Sequence, residues 1–195
     1  MVFIMCVSRL FGSVSRSGRL FVVGRSSLLG SAFAGRRFSF AGSRRGLSSS
    51  SVSWLRQQVA RLAPDRHVLV AGGAVGADTV AHRAALELGI PQVVVLPCGF
   101  DHPYPRSNLG LFRSVLASGG CLVSLLPPSA RPSRSSFVER NEVIARLGAS
   151  LLVPQCAARS GTMHTVRFAR GAGVPVLFRR AGAPHLVGVV GCSPL

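Results

Sequence analysis

The segment Ala71-Gly72-Gly73-Ala74-Val75-Gly76-Ala77-Asp78 separates an apolar run, Val68-Leu69-Val70, from a helix-like stretch, Thr79 to Leu88. A strand that passes through glycines into a helix can hold a phosphate. Gly72, Gly73 and Gly76 let the backbone take positive φ, and N–H groups can then approach an anion at the positive end of the helix dipole. A second turn of this kind, Arg159-Ser160-Gly161-Thr162, opens another helical stretch and offers Ser160, Gly161 and Thr162 for the same task. A third segment, Gly42-Ser43-Arg44-Arg45, adds a close turn at Gly42 and a hydroxyl and N–H at Ser43. Its guanidinium forks, Arg44 and Arg45, suit paired phosphate contacts. Arg134 and Arg140 follow, with Asn141 able to tie loop backbones together. The shared chemistry is phosphate recognition, hence a nucleotide or a nucleic acid. Each segment alone also has a plainer use, because glycine turns serve strand–helix packing, serines cap helices and arginines stay solvated.

Other candidate groups point less clearly. In the loop Pro97 to Asn108, Tyr104 or Phe100 could stack on a base, but the preferred expectation is an inward-packed Tyr104, with Ser107 or Asn108 capping the next helix. His82 and His164 have no carboxylate or cysteine partners at ligand spacing and are expected to pack on helix faces. Asp78 suits a helix start, oriented to the dipole. Cys6, Cys98, Cys121, Cys156 and Cys192 lie far apart, with no C-x-x-C pair and no zinc spacing. Disulfides, a structural metal and a cofactor are therefore not expected, and the thiols suit a reducing cytoplasm.

These loops need a scaffold that brings them together. Strands are expected over 38–41, 67–71, 92–96, 121–125, 150–153 and 174–178, and helices over 52–62, 77–88, 109–117, 138–147 and 162–170. The short runs VLV, VVVL and LLV show no polar alternation, as parallel strands covered on both faces do not. Strands alternating with helices make an α/β fold, a doubly wound, mainly parallel, Rossmann-like sheet that gathers ligands at the carboxyl ends of its strands. The loops after Ala41, Ala71, Leu96, Leu125 and Val153 should then share one rim.

The chain has 195 residues, enough for one such domain, which is expected over 37–182. Residues 1–36 are rich in Ser and Arg and free of acids, and are expected to be a basic arm without fixed structure or upstream sequence from an early start codon. The composition also fits a transit peptide. Residues 183–195 are expected to form a tail. Basic residues, all arginine, number 23 against 6 acidic ones, for a net charge of +17. GC-rich coding would explain arginine over lysine but not the scarcity of acids, so the surplus favours a polyanionic partner. No stretch approaches the roughly 18 apolar residues of a membrane span, so no membrane partner is expected.

Taken together the blocks resemble the DprA/Smf DNA-processing family, within the superfamily that also holds the LOG nucleotide enzymes. The matching pieces are Gly42-Ser43-Arg44, Gly72 to Asp78 with Ala81 to Leu86, Cys98-Gly99-Phe100-Asp101 with Tyr104-Pro105 and Asn108, Phe137 with Arg140-Asn141 and Ile144, and Ser160-Gly161-Thr162 with Thr165. The resemblance implies single-stranded DNA bound in a basic pocket, with a RecA-type recombinase and a second copy of the chain as further partners. The chain departs from the family at Glu142, where a basic residue is usual, and at Pro97, where glycine is usual. Two alternatives remain at this level, a nucleotide sensor and a LOG-like nucleotide-processing enzyme. The second would need a carboxylate after the Gly161-Thr162 turn, where Met163, His164 and Thr165 stand instead.

Overall fold

The computed structural model describes residues 2–6 and 19–195, with side chains from Leu20 onward. Its strands are β1 (Val2–Cys6), β2 (Arg19–Gly24), β3 (Arg37–Phe40), β4 (Val68–Ala71), β5 (Gln92–Leu96), β6 (Cys121–Ser124), β7 (Ser150–Val153), β8 (Val176–Phe178) and β9 (Cys192–Pro194). The helices are α1 (Ser49–Ala60), α2 (Ala77–Glu87), α3 (Leu109–Ala117), α4 (Arg134–Leu147) and α5 (Thr162–Gly171). Every expected strand and helix of the repeating unit is present, shifted only at its ends. The largest shift is at α4, where Ser133 and Ser136 cap each other. The Ser136 N–H donates to Ser133 Oγ at 3.1 Å and the Ser133 N–H to Ser136 Oγ at 2.8 Å, so the helix starts at Arg134 rather than 138.

All strands join one sheet in the order β1-β2-β6-β5-β4-β3-β7-β8-β9, and from β6 to β9 every pairing is parallel. Successive side chains point to opposite faces. Val68, Val70, Val93, Val95 and Val123 therefore pack beneath Val143 and Ile144 of α4. Leu69, Ala71, Phe40 and Leu152 pack beneath Leu55 and Val59 of α1 and Ala81 and Ala85 of α2. Burial on both faces is the physical reason these strands carry no polar alternation. The chain winds from β3 outward to β6, then returns to add β7, β8 and β9 on the other side of β3. That reversal opens a crevice between the carboxyl ends of β3 and β7, the place where such sheets bind ligands.

The arm expected over 1–36 requires correction from Arg19 on; residues 1 and 7–18 lie outside the described residues. β2 pairs antiparallel with β6, and Leu20, Val22, Leu28 and Leu29 are fully buried against the valine layer. Composition averaged over the segment hides these four side chains among serines and arginines. Arg37 fastens the junction, its Nε donating to Leu147 O at 2.8 Å and its Nη1 to Gly30 O at 3.2 Å. The expected tail 183–195 is also part of the fold. Ala183 and Leu186 are buried, and β9 pairs with β8, Val176 opposite Cys192.

On the α2 face, His82 is wholly buried and the Gln92 carboxamide donates to its Nδ1 at 2.8 Å. Burial lowers the His82 pKa from the ordinary histidine value, opposed by the charge of Asp78.

Two outcomes follow from this packing. Leu28→Ala should lower unfolding free energy by about 2–4 kcal/mol in urea titrations, whereas an unattached arm would give no change. The His82 pKa is lower in the folded protein than the unfolded value of 6.5, so stability should fall as pH drops below 6.5. The slope, bounded at about 1.4 kcal/mol per pH unit for one proton, should be absent in His82→Gln, as read from urea midpoints between mildly alkaline and mildly acidic buffer.

Candidate nucleic-acid interface

The crevice between β3 and β7 is a cavity of about 530 Å³. Its walls begin with the loop after β3, where the Ser43 N–H and Oγ both donate to Gln155 O, at 2.8 and 3.2 Å, and so zip the two strand ends together. Beyond that clasp Arg44 and Arg45 are exposed at the mouth. The loop after β7 supplies Ser160, Gly161 and Thr162 at the start of α5, and the Asn141 carboxamide donates to Gly161 O at 3.4 Å. Ser160 Oγ is buried with no hydrogen-bond partner, and nothing lies within 4 Å of where a Gly161 side chain would begin. An unsatisfied hydroxyl and a bare backbone at a helix N-terminus are the features of a seat for an acceptor-rich ligand.

Arg140 dominates the interior. It is only 4% exposed, yet no described residue accepts a hydrogen bond from it, and its Nε is fully buried without a partner. Asp78 Oδ2 lies 3.7 Å from Nη1, too far for a hydrogen bond but close enough to offset the charge. The Phe137 ring stands 5.9 Å from the Arg140 guanidinium and 5.1 Å from that of Arg44. Burial lowers the Arg140 pKa, Asp78 opposes the shift, and the Arg44 charge adds to it.

Nine of the expected site residues line this cavity: Gly42, Ser43, Arg44, Arg45, Arg140, Asn141, Ser160, Gly161 and Thr162. The glycine loop after β4 behaves differently from the open cradle expected of it. A methyl on Gly72 would occupy the place of the Arg140 guanidinium, and one on Gly76, at φ +85°, would fall on the Ser43 carbonyl oxygen. One on Gly73 would meet the Phe112 ring. The Ala77 N–H donates to Ser43 O at 3.1 Å and the Ala74 N–H to Asp78 Oδ2 at 3.2 Å. These donors are spent inside the protein, so Gly73 and Gly76 lie outside the cavity wall and Gly72 faces only a small side chamber. Arg134 opens α4 at the surface and does not line the cavity.

Other side chains take roles that spacing did not indicate. Asp78 is the counter-charge of Arg140 as well as a first-turn acid of α2. Asn108 caps nothing with its side chain; its Nδ2 donates to Gly73 O and to Thr79 Oγ1, both at 2.8 Å, and braces the glycine loop. Tyr104, expected to pack inward, is 44% exposed on the cavity rim. Phe137, quoted above only as a matching piece of the family pattern, stands in the first turn of α4 between Arg44 and Arg140. Asp101 is exposed and off the cavity wall, and His164 is exposed on α5. Among the described residues no cluster of three His, Cys, Asp or Glu is arranged to hold a metal, and no helix is long and apolar enough to cross a membrane.

The two kinds of glycine separate by substitution. Gly72→Ala should cost about 1–3 kcal/mol in urea unfolding, because the methyl and the Arg140 guanidinium cannot share one space. Gly161→Ala should stay within about 0.5 kcal/mol, its methyl entering open space.

Solved structures show the same architecture. DNA processing protein A from Streptococcus pneumoniae superposes with a TM-score of 0.79 at 27% identity, over 91% of this chain and 63% of that one. The Helicobacter pylori protein, described for its single-stranded DNA binding mode, superposes at 0.85 over 99% of this chain and 90% of that one. At 23% identity that likeness speaks for the fold. By sequence, a DNA processing protein DprA of Mycobacterium tuberculosis is 40% identical over 105 residues, 54% of this chain and 27% of that protein. Smf of Escherichia coli is 37% identical over 116 residues, 60% of this chain and 31% of that protein. The matched part is thus under a third of either relative. The sequence model of one family, DNA recombination-mediator protein A, takes in residues 16–193, from before β2 into β9. With nearly the whole described sheet inside that match and its loops meeting at the crevice, the chain belongs to the DNA recombination-mediator protein A family, the DprA/Smf group.

Proposed function

We propose that this protein binds single-stranded DNA without sequence preference, its backbone phosphates entering the crevice between β3 and β7. The observation that carries the reading is Arg140, a buried guanidinium that lines the cavity without a hydrogen-bond acceptor. Asp78 offsets the charge but does not accept from its donors, and a buried donor left without an acceptor costs about 1–3 kcal/mol, so a ligand oxygen there has a deficit to fill. Arg44 and Arg45 at the mouth and the Ser160-Gly161-Thr162 turn opposite supply further donors. The net charge of +17 favours encounter with any polyanion. The Helicobacter pylori protein of the same fold is described as binding single-stranded DNA.

Binding rather than turnover fits the one carboxylate on the cavity wall. Asp78 accepts from the Ala74 N–H and faces Arg140, so it is committed to holding that side chain and is not poised as an acid or base. Delivery of the strand to a RecA-type recombinase and pairing of two copies complete the proposal on the strength of the family. The four cysteines with described side chains, all free thiols, suit a cytoplasmic setting for that work.

Fluorescence anisotropy with a labelled single-stranded oligonucleotide tests the reading. If two or three phosphates are neutralised, Kd should rise about tenfold between 50 and 200 mM salt, and Arg44→Ala, at an exposed position, should weaken binding and flatten that dependence. Displacement by mononucleotides at similar concentration would overturn it in favour of a nucleotide sensor. Cleavage of a mononucleotide would turn it toward a LOG-like enzyme.

A further inference from the structure

The two arginines at the mouth stand on a loop that holds little of itself together. Among the described residues, the only hydrogen bond to the backbone from Arg44 to Leu47 is the one accepted by Gly46 O, and Gly46 has a φ of +63°. Arg44 and Arg45 are exposed, while Leu47 packs half-buried against the apolar layer of Leu55 and Val59. A segment with so few bonds of its own opens easily unless a neighbour fixes it. An arginine on a loose backbone must then be ordered as the ligand binds, which weakens affinity.

One residue on the opposite loop does the fixing. Gln155, two residues beyond the end of β7, bonds to both ends of the loop and to its middle. Its carbonyl oxygen accepts from the Ser43 N–H and Oγ at 2.8 and 3.2 Å. Its side-chain Oε1 accepts from the Ser48 N–H at 3.0 Å, and its Nε2 donates to Gly46 O at 2.8 Å. Each end of the carboxamide meets the opposite kind of partner, a match that neither a carboxylate nor a hydrocarbon could make. From the other side Gly76 lies so close to Ser43 O and the Arg44 Cα that a methyl would not fit between them. The loop is pressed from below and clipped from across, with Arg44 and Arg45 on the span between Ser43 and Gly46. Gln155 does not itself line the cavity, so it acts on a ligand only through that span.

We infer that Gln155 is a positioning residue for strand binding, its side chain fixing the backbone that carries Arg44 and Arg45 before the ligand arrives. This rests on the single-stranded DNA reading above and adds to it the group that pre-orders the mouth. The Phe137 ring, 5.1 Å from the Arg44 guanidinium, steadies the side chain, and Gln155 steadies the main chain.

The experiment uses the full chain and Gln155→Met, which keeps the side-chain length and the carbonyl bonds to Ser43 and removes only the two carboxamide bonds. Gln155→Asn, one methylene too short to span Gly46 and Ser48 together, serves as a second variant, and thermal melting checks that both fold. Amide hydrogen exchange at Ser48 should quicken about tenfold, the weight of one lost hydrogen bond, while the amides of β4 exchange as in wild type. Kd for a labelled single-stranded oligonucleotide should rise about three- to tenfold, with a flatter salt dependence. In the Gln155→Met background Arg44→Ala should weaken binding less than it does in wild type, because groups that act as a unit are not additive. Unchanged Ser48 exchange, wild-type affinity in both Gln155 variants, or effects of Gln155→Met and Arg44→Ala that simply multiply would overturn the positioning role and leave phosphate binding by Arg44 intact. Failure of wild-type protein to bind the oligonucleotide removes the proposed function and the positioning role with it.

Discussion

A guanidinium removed from water and given no hydrogen-bond acceptor is costly, and the crevice is arranged around that one cost. Arg140 keeps its place because three elements each surrender something to it. The loop after β4 gives up a side chain at Gly72, α2 contributes the Asp78 carboxylate, and the first turn of α4 supplies the Phe137 ring. Such a site is stable only when partners converge from several directions, since no single contact here offsets desolvation of the charge. The remaining deficit faces the cavity, where a ligand can meet it.

This arrangement changes what the glycine-rich loop is for. Glycines between a strand and a helix usually suggest free N–H groups, yet here the N–H groups of Ala74 and Ala77 are bonded to Asp78 and Ser43. The absent side chains matter more than the permitted dihedrals, because they admit Arg140 at Gly72 and the loop after β3 at Gly76. The donors open to a ligand lie across the crevice, at the start of α5, where Gly161 meets no neighbour and Ser160 Oγ has no partner. One sheet edge thus carries a closed turn that positions the cation and an open one whose donors are left without partners.

The arginine surplus is likewise divided in its work. Arg37 donates to the carbonyl groups of Leu147 and Gly30, Arg179 to the hydroxyls of Ser50 and Ser51, and Arg170 to Val190 O at 2.7 Å. These hold segments to the sheet, using the planar fork as a multi-point clip. Arg56 with Glu87 and Arg146 with Glu142 are surface ion pairs of small energetic weight. The charge available to a ligand is therefore local, set by Arg44, Arg45 and Arg140 around one cavity, within a field that the whole chain makes positive.

Local pattern determined much of this protein. Unbroken valine and leucine runs fix parallel strands buried on both faces, and their alternation with helical periods fixes a doubly wound sheet, which in turn dictates that the loops after Phe40 and Val153 face each other. Those are properties of residues close in sequence, and nine of the expected site residues follow from them. The meeting of Asp78 with Arg140, the space left by Gly72, and the outward turn of Tyr104 against Phe137 depend on residues tens of positions apart. Whether residues 19–36 hang free or close the sheet likewise depended on a partner, β6, about a hundred residues away. Spacing along a chain carries periodicity and turn chemistry, but a buried charge is stabilised by whatever three-dimensional packing brings beside it, and only the folded arrangement decides that.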